Sequence, residues 1–270
     1  MTSPSAPAPT PMTKFEIFHG LHYRDQPLVL PNAWDFASAA LLATAGFPAI
    51  GTTSLGVAAA AGLADGVGVT KTETLAIAQR LARLAVPVTV DIEGGFDEGP
   101  SAVADFVEQL AACGIAGVNL EDGRAGSALA APDHHAELIS AIKDRTPEVF
   151  VNARVDTYWL SLDPGSTHDR VRRYTAAGAD GIFVPGLTDR AGIEGIVTTT
   201  DLPVNILYSG TGPTIATLAE LGVRRVSTGS LLYRAALSAA VDVARAVLHD
   251  APVPSGIVTY PDIQRLLPAQ

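Results

Sequence analysis

The sequence predicts an α/β protein, a (β/α)8 barrel of the TIM type, on three observations. Eight short apolar runs alternate with longer stretches of helical pattern along the 270 residues. The runs are apolar throughout, as parallel strands are when both faces of their sheet are covered. Polar residues gather instead at the C-terminal ends of the runs, where a barrel of this kind collects its chemistry. An open doubly wound sheet is the alternative. It usually carries a glycine-rich phosphate loop after its first strand, whereas here that strand runs into Pro31-Asn32-Ala33-Trp34-Asp35-Phe36.

Taken in order, 27–31 (PLVLP) reads as the first strand, followed by a helix near 35–45 and a strand at 48–52. The stretch 51–57 (GTTSLGV) reads as a turn offering consecutive backbone N–H groups, and Asp65 as a loop acid. A helix over 70–84 follows, its start marked by Thr70 and Glu73 at capping-box spacing, then a strand at 86–91. Ser101, after Pro100, marks the N-cap of a helix over 101–112, and 115–120 is the fourth strand. Helix 133–144 leads to strand 149–153. Ser166 and Asp169 then resemble a second capping box, ahead of helix 167–177 and strand 181–185. Helices near 189–198, 213–220 and 230–248 enclose strands at 203–207 and 223–228. Gly46, Gly114, Gly178 and Gly222 each stand where a helix gives way to a strand, a position that favours the left-handed conformation. Residues 1–13, without a basic residue or an apolar segment, read as a disordered arm, and 14–270 as one barrel domain.

Composition narrows the partners. A formal net charge of −10 argues against nucleic acid and anionic membrane, and no uncharged apolar run approaches a membrane span. An anionic small molecule remains compatible, because one local cation can dominate a pocket. Cys113 is the only cysteine, which excludes an intramolecular disulfide and fits a cytoplasmic protein. It falls at the end of a helix opposite the expected site and reads as a small buried hydrophobe. His134 and His135 open a helix, where a solvated or capping role is expected.

The chemistry collects after the third, fourth and fifth strands. Asp91 and Glu93, then Glu121 and Asp122, then Arg154 and Asp156 put five carboxylates and one arginine in neighbouring positions. Adjacent carboxylates repel, so a compensating charge is required. Acids without histidine or cysteine companions suit a hard cation, Mg2+ or Mn2+, which leaves Asp91, Glu93 and Glu121 as metal candidates, binding directly or through water. Arg154 can neutralise the remaining charge or grip a substrate carboxylate with its fork. Arg124, a loop cation, could close over an anionic substrate.

At these residues the chain resembles the isocitrate lyase/phosphoenolpyruvate mutase superfamily. The resemblance rests on PNAWDFASAALLATAGFPAIGTTSLGVAAAAGLADG, VPVTVDIEGGF, GIAGVNLEDG and VNARVDTY, and runs in order from about Leu28 to Leu267. It implies a barrel whose terminal helix, with 260–267 as the candidate segment, is exchanged between subunits of a homodimer or homotetramer. It also implies Mg2+ near Asp91, Glu93 and Glu121, chelated by a 2-oxo acid. The substrate carboxylate would meet backbone amides at Thr53, Ser54 and Leu55, as well as Arg154. Asp65 matches a loop acid important in the mutases, so Asp65, Arg154 and Glu121 are the implied catalytic set.

Two departures shape the expected reaction. The loop after strand four, EDGRAGSALAAPDHH, lacks the Lys-x-Cys-Gly-His motif of the isocitrate lyases, and Gly123 stands where the mutases carry a lysine. The expectation is a Mg2+-dependent carbon–carbon or P–C lyase acting on a small 2-oxo or 2-hydroxy dicarboxylate through an enolate, with oxaloacetate-type decarboxylation or hydrolysis foremost. A phosphonomutase is the alternative, and a 2-oxo-acid binding protein without turnover the second.

Overall fold

The computed structural model describes residues 11–267. Thr13 opens the first helix, α1 (Lys14–Leu21), in a capping box with Glu16. Strands β1 (Leu28–Leu30) and β2 (Asn32–Ala33) precede α2 (Phe36–Thr44), which a second capping box, Asp35 with Ser38, starts. Then come β3 (Ile50–Thr52), α3 (Ser54–Ala60), α4 (Lys71–Leu81), β4 (Val88–Asp91) and α5 (Pro100–Ala112). β5 (Gly117–Glu121) leads into a small hairpin of β6 (Gly123–Arg124) and β7 (Ala128–Leu129), followed by α6 (Pro132–Arg145) and β8 (Phe150–Arg154). The units α7 (Thr167–Ala176) with β9 (Gly181–Phe183), α8 (Arg190–Val197) with β10 (Val204–Leu207), and α9 (Ile215–Glu220) with β11 (Arg225–Ser227) complete the barrel. Two helices, α10 (Leu231–Leu248) and α11 (Tyr260–Leu266), follow it.

Nine strand segments form one parallel sheet in the order β1-β11-β10-β9-β8-β5-β4-β3-β2. Its two ends are halves of one stretch of chain, parted by Pro31. β1 pairs with β11 and β2 with β3, so the ring closes at Pro31, which has no N–H to give to either neighbour. Asn32 laces this seam. Its Nδ2 donates to the Thr52 carbonyl at 2.7 Å, and its Oδ1 accepts from the backbone of Gly229 and Thr228 at 2.9 and 3.1 Å.

The core has two apolar parts. Val90, Leu120, Val151, Ile182, Ile206 and Val226 belong to the larger cluster, which includes residues of the surrounding helices. Phe18, Leu21, Leu28, Leu30, Ala49, Ala116 and Phe150 form a separate cluster, with α1 closing the N-terminal mouth of the barrel. Burying Phe18 completely is worth about 1.5–3 kcal/mol. A buried polar network links strands around the barrel. Asn119 Oδ1 accepts from Asn152 at 2.8 Å and from Arg225 at 3.3 Å, and Arg225 Nε donates to Ser227 at 3.0 Å. Arg225 is wholly buried, which lowers its pKa to about 9 against the opposing charge of Asp91.

All eight expected barrel strands are present, β1 with β2 forming the first. Local corrections concern caps and turns. Thr70 and Ser166 make no side-chain cap bonds, and the helix at Ser101 starts one residue earlier, with Gly99 at the cap. Thr70 donates to Glu93 instead, and Asp169 accepts from Arg173. The stretch read as a turn over 51–57 contains the first residues of α3. Cys113, expected to be buried, is half-buried at the C-cap of α5, while His135 is fully buried against Tyr174, their ring centroids 4.6 Å apart. The arm expected over 1–13 lies mostly outside the described residues. No described helix is long and apolar enough to cross a membrane.

Candidate active site

A cavity of about 280 Å3 lies at the C-terminal ends of the strands. Asp91, Glu121 and Arg154 are the last residues of β4, β5 and β8, and all three line it. Thr53, Ser54 and Leu55, where β3 turns into α3, form part of the wall, as does Asp65. Thr53 makes no side-chain cap bond to α3. Of the eight residues singled out in the sequence, seven thus meet here. Glu93 is the exception.

Arg154 is held from two sides. Its Nη1 lies 2.6 Å from Glu121 Oε2 and its Nε donates to Asp156 Oδ1 at 2.6 Å, while Nη2 makes no hydrogen bond among the described residues. Burial works to lower its pKa, but Glu121, Asp156 and Asp91 outweigh it and keep the guanidinium charged. The rings of Phe183 and Trp159 lie 5.8 and 5.9 Å from its Cζ. Asp156 is positioned in turn by Asp122, which accepts its backbone N–H at 2.8 Å. Asp122 is fully buried and also accepts from Arg170 at 2.8 Å and Tyr174 at 2.7 Å. The role of Asp156 is the one the sequence reading missed. Its spacing from Arg154 was the available signal, since residues two apart on extended chain share a face.

Glu93 has left-handed backbone (φ 51°) and a buried carboxylate that faces the preceding loop. One oxygen accepts from Thr70 and the other from the Gly68 N–H at 3.0 Å. Its own N–H donates to Asp91 Oδ1 at 3.2 Å, and the Asp91 N–H donates to Thr52 at 2.9 Å. The acids here repel one another. Burial raises the pKa of Glu121 and of Asp65; Arg154 opposes that rise at Glu121 and Ser54 at Asp65, while Asp91 adds to both. Asp156 and Glu93 are raised by burial too.

Four acids and two arginines line the cavity, an excess of negative charge built wholly from oxygen donors. Among the described residues no three acidic, histidine or cysteine side chains already converge on a point. That donor set fits a hard divalent cation that keeps several of its waters.

The fold and this site define a barrel enzyme with an arginine set among acids at the strand ends. Comparison with known proteins makes the class specific. The family described as phosphoenolpyruvate phosphomutase matches residues 18–248. An uncharacterised protein of Mycobacterium tuberculosis is 48% identical over 252 residues, 93% of this chain and 95% of that one. An oxaloacetate decarboxylase of Ectopseudomonas mendocina is 32% identical over 197 residues, 68% of this chain and 67% of its own. The solved structure of a 2,3-dimethylmalate lyase superposes with a TM-score of 0.82 at 26% identity, covering 95% of each chain. The chain belongs to the phosphoenolpyruvate mutase/isocitrate lyase superfamily, a group of lyases and mutases. Members of that superfamily are typically dependent on a divalent metal.

Proposed function

We propose that this enzyme cleaves a carbon–carbon bond of a small 2-oxo or 2-hydroxy dicarboxylate through an enolate, by oxaloacetate-type decarboxylation or hydrolysis. The observation that carries the reading is Arg154, fixed between Glu121 and Asp156 with Nη2 unused, in a cavity ringed by acids. Asp91 and Glu121 are the candidate ligands for Mg2+, or Mn2+. Each Glu93 oxygen keeps a second lone pair through which a water could bridge to the same ion. When bound, the ion withdraws electrons from a 2-oxo acid and lowers the cost of an enolate.

The chain's own residues supply the rest. Arg154 binds the substrate carboxylate and stands by the oxygen on which negative charge develops, where preorganised positive charge is worth most. The backbone amides around Thr53, Ser54 and Leu55 take the same carboxylate from the other wall. Phe183, buried beside Arg154, keeps water from that side of the guanidinium. Asp65 and Glu121, whose pKa values burial raises, are the candidate groups for proton exchange with the substrate. We propose further that the protein is a cytoplasmic homodimer or homotetramer in which the C-terminal helical segment is exchanged.

A panel of 2-oxo acids with Mg2+ tests the reading, and oxaloacetate should be consumed while isocitrate yields no glyoxylate. Asp91→Ala should abolish the Mg2+-dependent thermal shift of the protein, seen by calorimetry with oxalate present, without unfolding it. An equal shift in mutant and wild type removes Asp91 from the metal site. The phosphomutase match keeps a second reading open, interconversion of phosphoenolpyruvate and phosphonopyruvate. Phosphorus NMR of either compound with the enzyme decides it.

A further inference from the structure

Two cations line the cavity, Arg154 and Arg124, and only the first is paired with acids. Arg124 belongs to the β6–β7 hairpin, which begins two residues past the end of β5. Its Nη1 donates to the carbonyls of Glu121 and Gly123 at 2.9 and 2.7 Å. Among the described residues it makes no ion pair, and its Nε and Nη2 make no hydrogen bond. A guanidinium tethered by carbonyls at one nitrogen keeps two nitrogens, with three N–H donors, for a ligand.

The chain makes room for this placement. Gly94 has no positive φ, so its backbone does not call for glycine. What it lacks room for is a side chain, since a Cβ there would overlap Arg124 Nη1 and lie 2.8 Å from its Cζ. Gly123 is similar, because a Cβ would run into Asp156 Oδ2. Gly94 thus leaves the slot in which the Arg124 guanidinium lies against backbone, while Gly123 makes room for Asp156.

Depth separates the two arginines. Arg154 is level with Glu121 in the sheet register, whereas Arg124 lies beyond the strand end, on the hairpin. We propose that Arg124 forms the subsite for the distal carboxylate of the substrate, so that the enzyme selects dicarboxylates over monocarboxylates of the same 2-oxo or 2-hydroxy acid type. This rests on the function proposed above, with Arg154 and the α3 amides holding the proximal carboxylate. In a protein of net charge −10, an unpaired arginine at the mouth also draws in a dianion that the acidic wall would otherwise repel.

The test is calorimetric titration of the Mg2+-loaded protein with three probes. Oxalate fills the proximal position alone, malate adds a distal carboxylate, and lactate is malate without it. Wild type should bind malate at least tenfold more tightly than lactate. Arg124→Gln should erase that preference while leaving oxalate affinity within about twofold. Gly94→Ala should displace the guanidinium and weaken malate binding in wild type, yet add nothing in the Arg124→Gln background. A malate preference that persists in Arg124→Gln overturns the subsite, as does an equal loss of oxalate and malate. Failure of wild type to bind oxalate at all is a different result, and it overturns the proposed function along with the subsite.

Discussion

At the scale of single residues, the site separates groups that touch a ligand from groups that hold them. In the proposed function Arg154 belongs to the first kind; Asp122 belongs to the second, since it is fully buried and fixes Asp156 behind Arg154. Arg154→Lys keeps the charge but loses the fork. It should weaken oxalate binding at least tenfold, about 1.4 kcal/mol, in isothermal titration. Unchanged affinity would take Arg154 out of the site. The positions of Asp91, Glu121 and Arg154 were legible because each closes an apolar run, and a barrel aims such residues at one mouth. The orientation of Glu93 was not. Its left-handed backbone turns the carboxylate toward Gly68 and Thr70, and no spacing rule reports a φ of 51° at a glutamate.

Among the elements, the barrel strands and most helices followed from pattern, while α1, α3 and the β6–β7 hairpin did not. α3 is only seven residues, and its Ser54-Leu55-Gly56 opening carries the small residues of a turn. The β6–β7 hairpin has two residues per strand, too few to show alternation. α1 precedes the first strand and so falls outside the strand–helix alternation, although Thr13 and Glu16 stand at capping-box spacing. Its Phe18 enters the barrel mouth and meets Phe150 edge-on at 5.3 Å. Phe18→Ala should cost about 3–5 kcal/mol in urea unfolding, as a cavity opens inside a ring that cannot collapse. A loss below 1 kcal/mol would mean that α1 is an ornament and not a plug.

The molecule as a whole carries two buried histidines that resist protonation. His22, stacked on Phe150, and His135 each have a pKa lowered to about 3, chiefly by burial, with the charges of Arg225 and Arg124 adding to it respectively. Unfolded, each ring would titrate near 6.5. Between these values the unfolded chain binds protons that the folded chain refuses, so stability falls as pH drops from 6.5 toward 3. The slope from each ring reaches about 1.4 kcal/mol per pH unit. Unfolding followed from pH 7 to 5 should show a shallower loss in His135→Leu than in wild type; an identical slope would contradict the assignment. The C-terminal region sets the other expectation. Of the eighteen residues of α10 only Tyr233 is buried, and Leu237, Val241, Val247 and Leu248 are exposed. Sedimentation should find at least two chains per particle, and Leu237→Glu with Val241→Glu should release monomers. A wild-type monomer would leave that apolar face without its proposed cover.

The seam at Pro31 has a consequence for how the protein is made. A ribosome delivers β1 early, but the strand that completes its hydrogen bonds is β11, the last of the barrel. Until β11 emerges, the nascent chain presents an unsatisfied strand edge beside Leu28 and Leu30. No local pairing can substitute, because β2, past the proline, faces the opposite neighbour. Closure is therefore a late event that joins distant parts of the chain, the kind of contact that folds slowly and leaves intermediates open to aggregation. A chain stalled before Arg225 should need a chaperone to shield that edge, and one released after Ser227 should not.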